Sequence, residues 1–380
     1  MKKIIGTVLV LSLIWACSSD NGEITPPTES TPDKPKEAMS FERGPMLTNW
    51  ADNIIIPSYE AFASEMDALN TSFETFRANA TSENLTALRA DWLGAYKMWQ
   101  RVEIFEIGPA EREDFRFSMN TYPTNSEKID GHVASGTYDL SLSSNREAKG
   151  FPALDYLING LGETDEAIVS KFTANDNEAL LAYTDAVLTD MIGKTTTILA
   201  EWKSGYRTNF VANDGASATA SVDRFINDYI FYYEKFLRAG KMGIPIGAFS
   251  ADPFPDKVEA FYEGEVSNAL FLEGLQATQD FFNGKYFGSD ATGESLASYL
   301  DALNTVKDGE DLKQIINVQF DKARDMVIAL DAFRTEIENN DPPTDMLLAY
   351  DEVQRIVPLL KVDMVSAMSI SIDFVDADGD

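Results

Sequence analysis

The chain has 380 residues, with 31 Lys and Arg against 62 Asp and Glu, and it holds one Cys and one His. A formal charge of −31 excludes a nucleic-acid partner, because gripping a phosphate backbone needs a basic stripe that displaces counterions. One His cannot supply an H-E-x-x-H zinc site, and one Cys makes neither an internal disulfide nor a thiolate zinc cluster. With 44% hydrophobic residues the chain can still bury a core.

Residues 1–16 have the order of a signal peptide: Lys2 and Lys3, an apolar run from Ile4 to Trp15, then the small residue Ala16. The run is shorter than the ~20 residues that a membrane-spanning helix needs. Ile14-Trp15-Ala16-Cys17 resembles a bacterial lipobox, which implies lipidation at Cys17 and a lipid anchor as the contact with the membrane. Ser18 to Glu23 is polar and acidic and resembles the surface-export signals of Bacteroidetes lipoproteins. The expected location is therefore the outer membrane, at the cell surface or on its periplasmic face. Residues 17–44 read as a tether, with Pro26, Pro27, Pro32 and Pro35 among Thr, Ser, Glu and Lys and too little apolar surface to order it.

The remainder reads as helices. Leu85, Leu88, Trp92, Ala95, Tyr96, Trp99 and Val102 recur at three- and four-residue spacing, with Ser82 as the expected N-cap. The same spacing joins Phe225, Tyr229, Tyr232, Tyr233 and Phe236, and then Val258, Phe261, Val266, Leu270, Leu275 and Phe281. Further helices are expected over residues 312–336 and 346–368. Pro57 should kink or restart the first helix, and Ser369 to Val375 alternates in a strand-like way. The fold class is all-α: two packed helical-bundle domains, 45–240 and 241–380, with a short strand-like C-terminal tail. The Gly- and Pro-rich stretch around 239–255 marks the boundary between them.

Carboxylates are the plentiful chemical groups. Glu103 and Glu106, at i,i+3 beside Arg101, should share one helix face; such carboxylates either bind metal across a bundle or form a solvated charged face, and the second suits an acidic protein better. Trp92 and Trp99 read as core. His132, in Asp130-Gly131-His132-Val133-Ala134-Ser135-Gly136, reads as an ordinary loop histidine. The ending Asp373 to Asp380 has the flavour of a calcium loop but is incomplete, since an EF-hand needs a Glu at position twelve.

Four stretches together resemble the imelysin-like proteins, historically grouped as M75 peptidases. They are Asn53 to Tyr59, Trp99 to Pro109, Lys149 to Gly160, and Leu359 to Met364 with the Asp376–Asp380 ending. The resemblance implies an all-α fold of two bundle-like domains with a site near their interface. The motif of these proteins is G-x-H-x-x-E, and this chain departs from it: Gly150 matches, Pro152 stands at the His position, and Asp155 replaces the Glu. Proline offers no side-chain donor for a metal or a proton. The expected pocket comprises Arg101, Glu103, Gly150, Pro152 and Asp155, with Glu103 and Asp155 as metal ligands and no catalytic residue. With the lipobox, the resemblance implies a lipid-anchored binding protein for acquisition of iron or another metal, or of haem, with iron, calcium or haem as the bound group and a transporter as partner. The alternatives are a metallopeptidase with an altered site, and a surface adaptor that binds a protein or glycan.

Overall fold

The computed structural model describes residues 41–373, apart from Ala251. The signal segment, Cys17, the tether up to residue 40 and the Asp376–Asp380 ending lie outside the described residues. The described residues cluster as one compact unit, and one continuous hydrophobic core runs through it from Met46 to Ile370. The last residues of the expected tether are packed on the fold: Phe41 stacks on Tyr299 at 4.3 Å, and Arg43 opens a helix while pairing with Asp223 at 2.7 Å.

The helix Ile56–Ala78 turns back through three residues into Ser82–Val102, and this helical hairpin packs against Glu178–Glu201. All seven residues of the stripe from Leu85 to Val102 are buried, as the spacing predicts. The N-cap is Thr81 rather than Ser82; its hydroxyl accepts from the Asn84 N–H. Ser82–Val102 also packs against Ser267–Phe282, which in turn meets Leu312–Ile328, and that helix lies against Thr344–Gln354. The fold is a helical bundle. Its strands among the described residues are the short antiparallel pair Val306–Lys307 and Glu310–Asp311. No helix among the described residues is long and apolar enough to cross a membrane.

Pro57 does not kink a plain α-helix. Ahead of it, Trp50–Ile55 forms a π turn in which the Ile56 N–H bonds to the Ala51 carbonyl, five residues back. A proline ring clashes with the carbonyl four residues before it. That carbonyl, on Asn53, is turned out here and accepts the Phe287 N–H at 2.8 Å.

Such π turns recur, at Tyr156–Gly160, Trp202–Tyr206, Leu359–Met364 and, over twelve residues, Tyr232–Gly243. They are rare in proteins and often stand at functional sites. In the longest, i+5 spacing replaces i+4: Leu237 is buried behind Tyr232, while Phe236, expected inside, is only partly covered. Arg238 and Lys241 come inward with it, each 1% exposed. The expected boundary at 240/241 falls within this helical stretch.

Four further expectations are corrected. Residues 258–266, read as the start of a helix, are non-helical, and helix begins only at Ser267. Ala260 has φ +56° and Gly264 φ +87°, left-handed values that break a right-handed helix. His132 lies on the helix Ser126–Ser135 and not in a loop; its ring nitrogen Nε2 is 3.2 Å from Asn145 Oδ1. The stretch expected as one helix over 312–336 is divided, with Leu312–Ile328 followed by Phe333–Asn339. At the C-terminus, Ser369 leaves its helix at φ +56°, and residues 370–373 carry no strand pairing. Asn227 holds them instead, donating to the Ser371 carbonyl and accepting from the Asp373 N–H.

Candidate functional site

The helix Ser82–Val102 stops just before Glu103, and this ending separates two carboxylates expected on one face. Glu103 turns inward at 2% exposure, so the expected solvated face is not what forms. It meets Lys241, whose Nζ is 3.1 Å from Glu103 Oε2 and 2.7 Å from Glu259 Oε1. Asn120 Nδ2 donates to Glu259 Oε1 at 2.7 Å and to Glu103 Oε1 at 3.2 Å, and Gln100 Nε2 donates to Glu259 Oε1 at 3.1 Å. Tyr96 hydroxyl fixes Asn120 by donating to its Oδ1 at 2.6 Å. Burial alone would push the Lys241 ammonium down, but the two carboxylates outweigh it and hold its pKa above the ordinary value.

Glu106 enters a second network. Its Oε2 accepts the Arg116 N–H at 2.9 Å, while its own N–H donates to Asp228 Oδ2. Arg116 grips Asp228 with both terminal nitrogens, at 3.0 and 3.1 Å, and its Nε donates to the Glu103 carbonyl, so one guanidinium ties the two networks together. Burial pushes the Glu106 carboxyl up to about 8, against the pull of Arg116 and helped by the nearby Asp228 charge. The folded protein thus keeps a proton that the unfolded chain has released above about pH 4.5. The associated stability is complete below that value and is lost as pH rises through about 8. Thermal melts of the wild type and Glu106→Gln should therefore run parallel below about pH 4.5, diverge progressively between about pH 5 and 8 as the wild type alone loses on the order of 1 kcal/mol per pH unit, and run parallel again above that. Curves parallel at every pH would show that Glu106 is ionised throughout.

The motif segment is held from both sides. Gly150 has φ +75°, and a Cβ there would lie 2.2 Å from the Met119 carbonyl oxygen, so only glycine fits. Phe151 stacks on Tyr96 at 4.4 Å, which seats the helix Gly150–Asp155 against Ser82–Val102. Pro152 falls in the first turn of that helix, where its missing N–H costs nothing. Asp155, 1% exposed, accepts the Tyr262 N–H at 2.8 Å on Oδ2, and the Glu263 N–H at 3.0 Å and Asn159 Nδ2 at 2.9 Å on Oδ1. Burial pushes this carboxyl up to about 7, and those three hydrogen bonds oppose the rise.

The five residues expected in one pocket are thus distributed. Pro152 and Asp155 line a cavity of about 250 Å³ with Tyr122, Pro123, Ala260 and Tyr262. Glu103 lies in the sealed network, Gly150 is packed on Met119, and Arg101 pairs with Glu273 at 2.8 Å beside a different cavity of about 540 Å³. Glu103 and Asp155 share no hydrogen-bond partner. Among the described residues, no three His, Cys, Asp or Glu side chains converge as a metal site. The residues present do not fit a bare metal ion at the motif: Pro152 brings no donor, and both Asp155 oxygens are taken by the protein.

Tyr122 connects the networks to the surface. It lines the 250 Å³ cavity and also, with Asn120 and Pro123, a second one of about 270 Å³ walled by Phe117, Phe236, Lys235 and Lys257. Burial and the charges of Glu259 and Glu103 hold its phenol well above the ordinary range. Sequence reasoning missed Lys241, Glu259, Asn120, Tyr122 and Tyr262. The one available signal was Lys241 in Gly240-Lys241-Met242-Gly243, a charge at the end of an apolar helical run.

Comparison with known proteins places the chain in a family. The model of the imelysin family, peptidase M75, matches residues 55–357. The iron-regulated protein A of Synechococcus elongatus is 29% identical over 112 residues, a span of 30% of each chain. Among solved structures, an iron-regulated protein A precursor from Parabacteroides distasonis superposes with a TM-score of 0.70 at 16% identity, covering 87% of this chain and 97% of that one. An imelysin-like protein from Psychrobacter arcticum gives 0.67 at 16% identity, covering 89% and 99%. At such identity these two structures speak for the fold alone, whereas the family model spans most of the sequence: the chain belongs to the imelysin family.

Proposed function

We propose that the protein is an envelope binding protein in iron-related acquisition, anchored by lipid at Cys17, and that its ligand brings its own donor atoms. The observation that carries this reading is the Lys241 ammonium seated between Glu103 and Glu259, which pairs with both buried carboxylates from within. A bare cation finds its place there already taken. The cavities on either side of Tyr122 and Pro123 offer aromatic walls and, in one of them, two lysines. Such a lining suits a flat, anionic organic ligand such as haem or a ferric chelate. The iron connection is supported by the names of the relatives, and the anchor by the lipobox-like Ile14 to Cys17.

Equilibrium dialysis of the mature protein, prepared without a His-tag, tests the reading against Fe³⁺, Ca²⁺, Zn²⁺, haem and a ferric chelate. Haem or the chelate should bind, and Tyr122→Ala should weaken it at least about tenfold, the equivalent of about 1.4 kcal/mol. Tight binding of bare Fe³⁺ would overturn the reading. Failure of every ligand would overturn it in favour of a surface adaptor for a protein or glycan. A hydrolytic role needs a metal or base to activate water. Pro152 and the fully engaged Asp155 supply neither, so peptide cleavage is not expected.

A further inference from the structure

The buried network around Lys241 has a composition that ion pairing alone does not explain. Gln100, Glu103, Lys241 and Glu259 are all at most 2% exposed. Two carboxylates face one ammonium, so with all three ionised the cluster keeps one negative charge. Its hydrogen bonds are distributed unevenly. Glu259 Oε1 accepts from Lys241, Asn120 and Gln100, whereas Glu259 Oε2 and Gln100 Oε1 are sealed from solvent with no hydrogen-bond partner. Buried polar atoms are rarely left so, because each forfeits its hydration. The acceptor oxygens Glu259 Oε2 and Gln100 Oε1 are left unsatisfied, and the cluster is short of positive charge.

That is the chemistry of a site for a hard cation, which takes carboxylate and amide oxygens as ligands. The ammonium lies where such an ion would lie, within contact of both carboxylates, and it is delivered by the π turn that rotates residue 241 inward. A lysine is a compact point charge on a flexible stem and can reach such a place without the planar geometry that an arginine demands. We propose that Glu103, Glu259 and Gln100 form a cation site that the chain occupies permanently with its own Lys241, and that removing this ammonium opens the site to a divalent metal ion.

The mature protein is compared with Lys241→Ala, Lys241→Met and the double variant Lys241→Ala/Glu103→Gln. Each is melted in EDTA and in millimolar Ca²⁺ or Mn²⁺, and its metal content is measured after dialysis. The wild type should melt at the same temperature in both media. Lys241→Ala should melt lower in EDTA, regain several degrees with one of the ions, and retain about one ion per chain, since a ligand that binds only the folded state stabilises it. Lys241→Met keeps the stem volume without the charge, so it should fold while retaining no ion. The double variant should lose both the recovery and the bound ion. A Lys241→Ala protein that gains nothing from either ion, or stays unfolded in both, overturns the proposal. So does a wild-type protein that holds an ion which Glu103→Gln abolishes. The cleft reading above fails separately, on haem and chelate dialysis, which a negative result with Lys241→Ala leaves untouched.

Discussion

Arg116→Met is expected to destabilise the protein by about 3–5 kcal/mol, the usual cost of removing one partner from a buried charge pair. The side chain of Arg116 is 3% exposed and that of Asp228 13%, so water cannot replace the lost partner. The guanidinium makes two parallel bonds to Asp228 and a third to the Glu103 carbonyl, and it lies 4.8 Å from the Phe236 ring centroid and 5.5 Å from that of Tyr232. Removal strands a buried carboxylate beside Glu106 and frees the turn that aims Glu103 at Lys241. For a chain of this size the melting temperature should fall by on the order of 5 °C. Arg116→Lys should rescue little, because an ammonium cannot form the bidentate pair. The double variant Arg116→Met/Asp228→Leu should recover much of the loss, since it buries no unpaired charge. Arg112→Met is the control: its pair with Glu201 is roughly half exposed, and the expected change is within about 0.5 kcal/mol. Equal losses at Arg112 and Arg116 would show that burial of the pair is not what matters.

Much of the fold was legible because helical burial obeys local spacing. The seven residues from Leu85 to Val102 needed no knowledge of their partners to be recognised as one buried face. Reading failed where backbone geometry left the α period. The i+5 spacing of Tyr232–Gly243 replaced Phe236 with Leu237 and carried Lys241 inside, and no residue type announces a π turn. Residues 258–266 kept a helix-like apolar spacing, yet Asp155, more than one hundred residues earlier, captures two of their amides. The site was legible only in its local half. Gly150, Pro152 and Asp155 could be singled out from a short motif, whereas Glu103 acquires its meaning from Lys241 and Glu259. Asn120 and Glu259 are 139 residues apart, and Arg116 and Asp228 112, separations across which spacing carries no signal.

Asp155→Ala separates the two roles this carboxylate could have. In the structure it is a clamp: the Tyr262 and Glu263 amides and the Asn159 side chain all donate to it, fixing the loop that carries Glu259 and the Tyr262 wall of the cavity. Alanine leaves those two amides without acceptors, at about 1–3 kcal/mol for a buried donor and less where water reaches it, so a total near 3 kcal/mol is expected. The Tyr262 ring, 5.1 Å from that of Tyr156, loses its support, and ligand binding in the cleft should weaken at least about tenfold. Hydrogen exchange is the decisive readout, because the amides of Tyr262 and Glu263 should lose protection while the Ser82–Val102 helix keeps its own. Asp155→Asn retains one accepting oxygen and should fall between wild type and alanine. A metal-ligating Asp155 would behave differently. Its loss would abolish metal retention and leave the exchange of these two amides unchanged, and that pattern would overturn the clamp.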